Sequence, residues 1–188
     1  LIATPLVMRL ARRMDWVAYP RADRWHGQPT ALMGGIAIYV AATIGLLLVM
    51  PVREVWPIWM GASLMFVVGM VDDLAQIQPA AKLAAQVVAT GLLLYAGYAF
   101  GRHWPLWLSL PLTLLWVIGI TNAVNLLDNM DGLAAGIAGI AALVMTVFGG
   151  LTGSATTVAV GSAIGGAALG FLAFNFKPAR IFMGDCGS

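Results

Sequence analysis

The chain is predicted to be an all-α polytopic membrane protein, and three observations lead there. Of its 188 residues, 61% are hydrophobic and 10% charged, with a mean hydropathy of +0.89. A soluble domain of this length cannot bury so much apolar surface. Apolar runs close to the roughly 20 residues needed to cross a bilayer core follow one another along the sequence. The few charges lie at the ends of these runs, and the basic ones fall mostly to one side.

Seven segments are expected, at about 1–11, 32–50, 56–71, 80–99, 106–121, 132–150 and 155–175, in one membrane-embedded domain over 1–188. The first is too short to span and precedes Arg12 and Arg13, the reverse of a signal peptide, so it reads as the end of a helix. The second opens on Met33-Gly34-Gly35, whose glycines either let backbone approach a phosphate or start a helix tightly. The third ends in Asp72-Asp73, and the fourth carries Lys82 and Gln86 four residues apart on one face. The fifth runs into a polar stretch, and Gly132 allows a tight turn before the sixth. The seventh holds Gly161, Gly165, Gly166 and Gly170, the small-xxx-small spacing of close helix packing in lipid. Because the sequence starts inside a helix and stops on a charged, glycine-rich turn, the domain reads as truncated at both ends.

Charge fixes an orientation. With the loop at 12–31 in the cytoplasm, Arg9, Arg12, Arg13, Arg21, Arg24, Lys82, Lys177 and Arg180 share its side, against Arg53 and Arg102 on the other. That bias is the positive-inside signature. All the Asp residues lie on the same side, although Asp contributes little to orientation, which points to convergence on one cytoplasmic site. The net charge of +2 and the dispersed basic residues exclude a nucleic-acid partner, and the single Cys186 excludes an internal disulfide. His26 reads as a solvated loop residue.

The stretch Thr121–Gly136 carries the chemistry. A carboxylate near the bilayer centre costs roughly 2.5–3.5 kcal/mol even on the lenient insertion scale, so Asp128 and Asp131 are not filler there. Asn122, Asn125 and Asp128 recur every third residue and form one ribbon on a helix. Amide oxygens and carboxylates are the ligand set that Mg²⁺ prefers. The plainer alternative is a polar seam between helices. The pair Asp72-Asp73 stands at a helix C-terminus, where the dipole disfavours anions, so a nearby cation or metal is expected; paired Asp also provides a general base and a metal ligand in one place. Around Asp185, backbone amides, Lys177 and Arg180 suit a phosphate, and Asp185 suits the accompanying metal.

Taken in order, Asp72-Asp73 with Lys82-Leu83 and Gln86, Asn122 to Gly132-Leu133, and Pro178 to Gly184-Asp185-Cys186-Gly187-Ser188 resemble the polyprenyl-phosphate N-acetylhexosamine-1-phosphate transferases. With Pro29-Thr30 and Gly34-Gly35 the likeness covers nearly the whole chain. The resemblance implies transfer of a sugar 1-phosphate, GlcNAc-1-phosphate above all, from a UDP-N-acetylhexosamine to undecaprenyl or another polyprenyl phosphate, releasing UMP. It implies Mg²⁺, or Mn²⁺ in its place, and an active site on the cytoplasmic face of the bacterial inner membrane; it also admits a homodimer. Carried over by position, Asp185 is a metal ligand with Asn125 as a second. Asp72 and Asp73 act on the lipid phosphate or help hold the metal, and Asp128 and Asp131 line the nucleotide-sugar site. Asn122, Lys82, Lys177 and Arg180 are the cofactor-binding groups, the cations offsetting phosphate charge.

The short step from Asp73 to Lys82 resembles the GlcNAc-1-phosphate branch, whereas the phospho-N-acetylmuramoyl-pentapeptide translocases carry a longer insert. Gly27-Gln28 and Ala31-Leu32 depart from the family's basic and Pro-Arg residues. A later His-containing loop and final helices of the family are expected beyond Ser188. Two other classes share part of this pattern. Asp128 to Ala135 also resembles the opening of a CDP-alcohol phosphotransferase motif, but Gly136 stands where that motif has Arg, and no Asp lies between Asp131 and Asp185. An ion-coupled transporter would hold its acids at mid-segment; here they gather at one face.

Overall fold

The structure, a computed structural model, describes residues 1–19, 29–101 and 103–188. Arg21, Asp23, Arg24, His26, Gly27, Gln28 and Arg102 lie outside the described residues, so the orientation argument keeps only its other members there. The helices are α1 (Ala3–Arg13), α2 (Gly35–Val49), α3 (Val52–Ala75), α4 (Pro79–Tyr95), α5 (Leu106–Leu127), α6 (Leu133–Thr152) and α7 (Ala155–Asn175). Between α1 and α2, β1 (Val17–Ala18) pairs antiparallel with β2 (Thr30–Ala31), a contact that hydropathy does not reveal.

Four helices, α3, α5, α6 and α7, have 20 to 24 residues and enough apolar character to cross a membrane. At 1.5 Å per residue even the shortest reaches about 30 Å, the thickness of a hydrocarbon core. The helices α2 and α4 are apolar but shorter. Large apolar side chains stand exposed along α5 and α6, among them Leu115, Ile140, Val144, Val147 and Phe148. In water that would be costly; against lipid tails it costs nothing, and packing rests on van der Waals fit between small residues. Thus Gly161 faces Ala142 and Thr146 of α6, where a Cβ would lie 2.6 Å from the Thr146 hydroxyl, while Gly165 meets Ala142. Gly166 has open space around it and Gly170 faces the chain's first residue, so only part of the glycine pattern packs helices.

Two groups of helices are formed by neighbour contacts, α4 with α3 and α5, and α7 with α6, α2 and α1. The segment 176–188 joins them. Ile181 and Met183 are buried with Ala31, Ala37, Ala134, Ala135 and Phe171 in the second group. Backbone bonds fix it there: Phe182 N–H to Ala31 O, Gly34 N–H to Phe182 O and Gly35 N–H to Met183 O, at 2.8 to 2.9 Å. Its far end reaches α3. The ends of α3 and α5 that carry Asp72-Asp73 and Asp128 meet the segment here, and the exposed aromatics Tyr95, Tyr98, Trp104 and Trp107 lie at the other ends of α4 and α5. Trp and Tyr favour the membrane–water interface, so they mark the second rim.

Three helices differ from the pattern by four residues or more, and α3, expected at 56–71, is longer by four residues at each end, from Val52 to Ala75. Helix α5 continues to Leu127, six residues past its expected end, because polar side chains there are satisfied without breaking the ladder; Asn122 Nδ2 donates to Ile118 O at 2.8 Å. Helix α4 stops at Tyr95, where Gly97 at φ +86 turns the chain and Ala96, Gly97 and Tyr98 N–H groups close on the last carbonyls.

Candidate active site

Extension of α5 places Asn122 and Asn125 on its last turns and Asp128 at its C-terminal cap. Gly132, at φ +73, then makes the turn into α6. The α3–α4 connection is only Gln76-Ile77-Gln78, and it closes tightly because Asp72 Oδ1 accepts from Ile77 N–H at 2.8 Å. That brings Lys82, on the first turn of α4, back over the end of α3. Its ammonium Nζ contacts both Asp72 Oδ2 and Asp185 Oδ2, which come from distant parts of the chain.

Asp185 is thereby the meeting point. Its Oδ1 accepts from Asn125 Nδ2 at 3.1 Å, and the same amide donates to Ser188 Oγ at 2.9 Å. Asp73 accepts the backbone N–H groups of Asp185 and Cys186, and Asp128 Oδ2 accepts that of Gly184 at 3.2 Å. Below them lies a cavity of about 30 Å³, lined by Lys82, Gln86, Asn122, Asn125, Asp185 and Ser188 among others. Its volume suits about one water molecule. Asn122 and the buried Gln86 form an amide pair on its wall, at 2.9 Å from Asn122 Nδ2 to Gln86 Oε1.

The sequence's remaining candidates lie at the margin. Asp131 is exposed and accepts from Ala179 N–H at 3.2 Å. Arg180 turns back along α7, with its guanidinium 4.9 Å from the Phe174 ring centre and bonded to Ala173 O. Lys177 is exposed, without a hydrogen bond or ion pair among the described residues. Gly34 and Gly35 have a use that the pattern left open. A Cβ on Gly35 would lie 2.3 Å from Gly187 N, and one on Gly69 would lie 2.1 Å from Asp185 O. The close approach at Gly35 is therefore by the chain's own turn. Gly69 and Ser188 gave no chemical signal in the sequence; Gly69 could have been suspected only from its place one helical turn before Asp73.

Electrostatics separate the acids. Burial raises Asp185, but its contacts with Asp72, Lys82 and Asn125 outweigh this and hold it below the usual carboxylate range. Asp128 is pushed up to about 7 by burial, with the Asp185 and Asp73 charges adding and the Gly184 N–H opposing. Burial raises the Cys186 thiol as well, so it is no nucleophile at neutral pH. Among the described residues no three acidic, His or Cys side chains stand in a metal-holding group. The ammonium of Lys82 instead joins Asp72 and Asp185, and the donors around it, two carboxylates, a hydroxyl and an amide, are the hard oxygen set suited to Mg²⁺ once the Asn125 amide turns over.

A divalent cation beside Asp185 would stabilise the Asp128 carboxylate, whose neutral form prevails below about pH 7. Binding of Mn²⁺ at pH 6 should therefore release protons, and binding at pH 9 should release few. Calorimetry of the whole protein in buffers of different ionisation enthalpy measures this. Equal release at both pH values, or release unchanged by Asp128→Asn, would show that Asp128 does not sense the cation.

Comparison with known proteins gives a consistent likeness. The sequence model of glycosyl transferase family 4 matches residues 55–188, which include each acidic motif above. The chain is 35% identical over 199 residues to a probable undecaprenyl-phosphate N-acetylglucosaminyl 1-phosphate transferase of Bacillus subtilis, covering 100% of the chain and 56% of that relative. It is 34% identical to a decaprenyl-phosphate N-acetylglucosaminephosphotransferase of Mycolicibacterium smegmatis, with 99% and 53% covered. A phospho-N-acetylmuramoyl-pentapeptide-transferase of Moorella thermoacetica is also 34% identical, with 100% and 67% covered. The chain spans about half the length of the first two.

Proposed function

This chain belongs to glycosyl transferase family 4, and from that premise we propose that the whole protein transfers GlcNAc 1-phosphate from UDP-GlcNAc to a polyprenyl phosphate at the cytoplasmic face of a bacterial cell membrane. In this reaction an oxygen of the lipid phosphate bonds to the sugar-bearing phosphorus, the bond from that phosphorus to the bridging oxygen breaks, and UMP leaves. Both substrates are anions, so catalysis is chiefly alignment and neutralisation of charge. The observation that carries the reading is the meeting of Asp72-Asp73, Asn125-Asp128 and Asp185 with Lys82 at one membrane rim.

The roles follow from position. Asp185, with Asn125, would hold Mg²⁺, which when bound would supply charge neutralisation to the diphosphate. Asp72 holds the Lys82 ammonium beside Asp185, where a phosphate entering the cavity mouth would meet it. Asp128 and Asp131 flank the 178–185 segment through Gly184 and Ala179 and line the side from which a nucleotide sugar would enter. Lys177, exposed and unpaired among the described residues, is available to a phosphate. The three-residue α3–α4 connection favours the GlcNAc-1-phosphate branch over the pentapeptide one.

The test uses sealed membrane vesicles of both orientations carrying the whole protein, polyprenyl phosphate and a panel of labelled UDP-sugars. Label should enter the lipid phase from UDP-GlcNAc, with UMP released, only when added to the cytoplasmic face and only with Mg²⁺ or Mn²⁺. Lipid labelling by UDP-MurNAc-pentapeptide alone would move the assignment to the other branch. Labelling from the outer face would overturn the orientation.

A further inference from the structure

Three consecutive backbone N–H groups, those of Gly184, Asp185 and Cys186, are held by carboxylates from two helices. Asp73 Oδ1 accepts from Asp185 at 2.9 Å, Asp73 Oδ2 from Cys186 at 3.0 Å and Asp128 Oδ2 from Gly184 at 3.2 Å. Successive amides converging in this way make an anion site; here side chains of the protein fill it. The fit is close, since a Cβ on Gly184, at φ +77, would stand 2.7 Å from Asp73 Oδ2. Both oxygens of Asp73 are thus engaged in charge-assisted bonds to the turn. Its neighbour Asp72 is used differently, with Oδ2 on the Lys82 ammonium.

We propose that Asp73 is a positioning residue whose two-oxygen grip seats the 184–186 turn on α3 and so aims the Asp185 side chain at Lys82 and Asn125, leaving Asp72 as the member of the pair that faces the reacting groups. The proposal rests on the reading of Asp185 as the cation-binding carboxylate. Upstream, the bonds from Gly34 and Gly35 pin residues 182 and 183 to α2. On the α3 side the hydrogen bonds to the turn's backbone come from Asp73, through both its oxygens. In Asp73→Asn one acceptor becomes an NH₂ donor facing an N–H donor, so one of the two bonds is replaced by repulsion.

The experiment compares the purified whole protein with Asp73→Asn, Asp185→Asn and Gly184→Ala in three measurements: Mn²⁺ binding by electron paramagnetic resonance, alkylation of Cys186 followed by peptide-resolved mass spectrometry, and the pH profile of turnover. Cys186 is only 6% exposed while the turn is seated. For Asp73→Asn we expect Mn²⁺ affinity to fall roughly 10–100-fold, as for other residues that hold a ligand in place. Cys186 alkylation should quicken about tenfold as the turn opens more often. Turnover should recover in part at high Mn²⁺, with the parental pH profile. Gly184→Ala, which alters no carboxylate, should show the same loss of affinity and of Cys186 protection, and decides the matter if Asp73→Asn does not fold. In Asp185→Asn, Mn²⁺ binding should be lost while Cys186 stays protected. An inactive Asp73→Asn protein with parental Mn²⁺ affinity and parental Cys186 protection would overturn the proposal and make Asp73 a residue acting on substrate. Unchanged Mn²⁺ binding in Asp185→Asn would instead sink the cation assignment, and the Cys186 measurement would still decide whether Asp73 seats the turn.

Discussion

Asp185→Asn should lower turnover of the whole protein by about a thousandfold at saturating Mg²⁺ while leaving the fold intact. A metal bound at a phosphoryl-transfer site supplies several kcal/mol of charge stabilisation, and each ~1.4 kcal/mol is tenfold in rate. The substitution removes one negative charge from the place where Asn125 and Lys82 converge. The turn itself does not depend on that side chain, because it is held through the backbone amides of 184–186 and the close fits at Gly35 and Gly69. The melting temperature in detergent should therefore stay within a few degrees of the parent. Lipid-linked sugar formation at matched protein levels is the measurement. A variant that retains a tenth or more of parental turnover would show that Asp185 serves the turn and not the cation.

The fold and the site were unequally legible in the sequence. Helices α2 to α7 follow from apolar runs, because in lipid a backbone must satisfy its own hydrogen bonds and only a helix does so within one segment. The acids were legible for the same reason: in so apolar a chain, Asp72, Asp73, Asp128 and Asp185 stand out as charges kept despite their cost. What each acid does was not legible. Asp72 and Asp73 are adjacent and chemically identical, yet one meets an ammonium and the other two backbone amides. Only the path of the 181–188 segment separates them, and that path has no hydropathy period. Arg180 reads as a phosphate cation, but its guanidinium lies over Phe174 and bonds Ala173 O. Glycines posed the hardest case, since a small residue announces a close approach without saying by what. Gly165 meets a helix, Gly35 a turn and Gly166 open space.

Gly69→Ala should cost about a hundredfold in turnover although it alters no functional group. The position lies within α3, one helical turn before Asp73, and is buried. An added Cβ would stand 2.1 Å from Asp185 O, 2.5 Å from Asp185 C and 2.7 Å from Cys186 Cα, all backbone atoms without a rotamer of escape. Ordinary contact begins near 3.4 Å, so the turn must retreat by about 1.3 Å. A displacement near 1 Å is enough to cost on the order of 10²-fold in an aligned reaction. The sign of the stability change makes the test sharp. In a helix with no neighbour at that face, Gly→Ala is stabilising by about 1 kcal/mol; here the clash should reverse it. Gly61 supplies the control within the same helix, because its nearest neighbour to a new Cβ is Ala89 O at 3.7 Å. Gly61→Ala should keep parental turnover and gain stability, whereas Gly69→Ala should lose turnover, Mn²⁺ affinity and melting temperature together. If the two variants behave alike, the Asp185 turn does not dock on α3, and the site must be assembled in some other way.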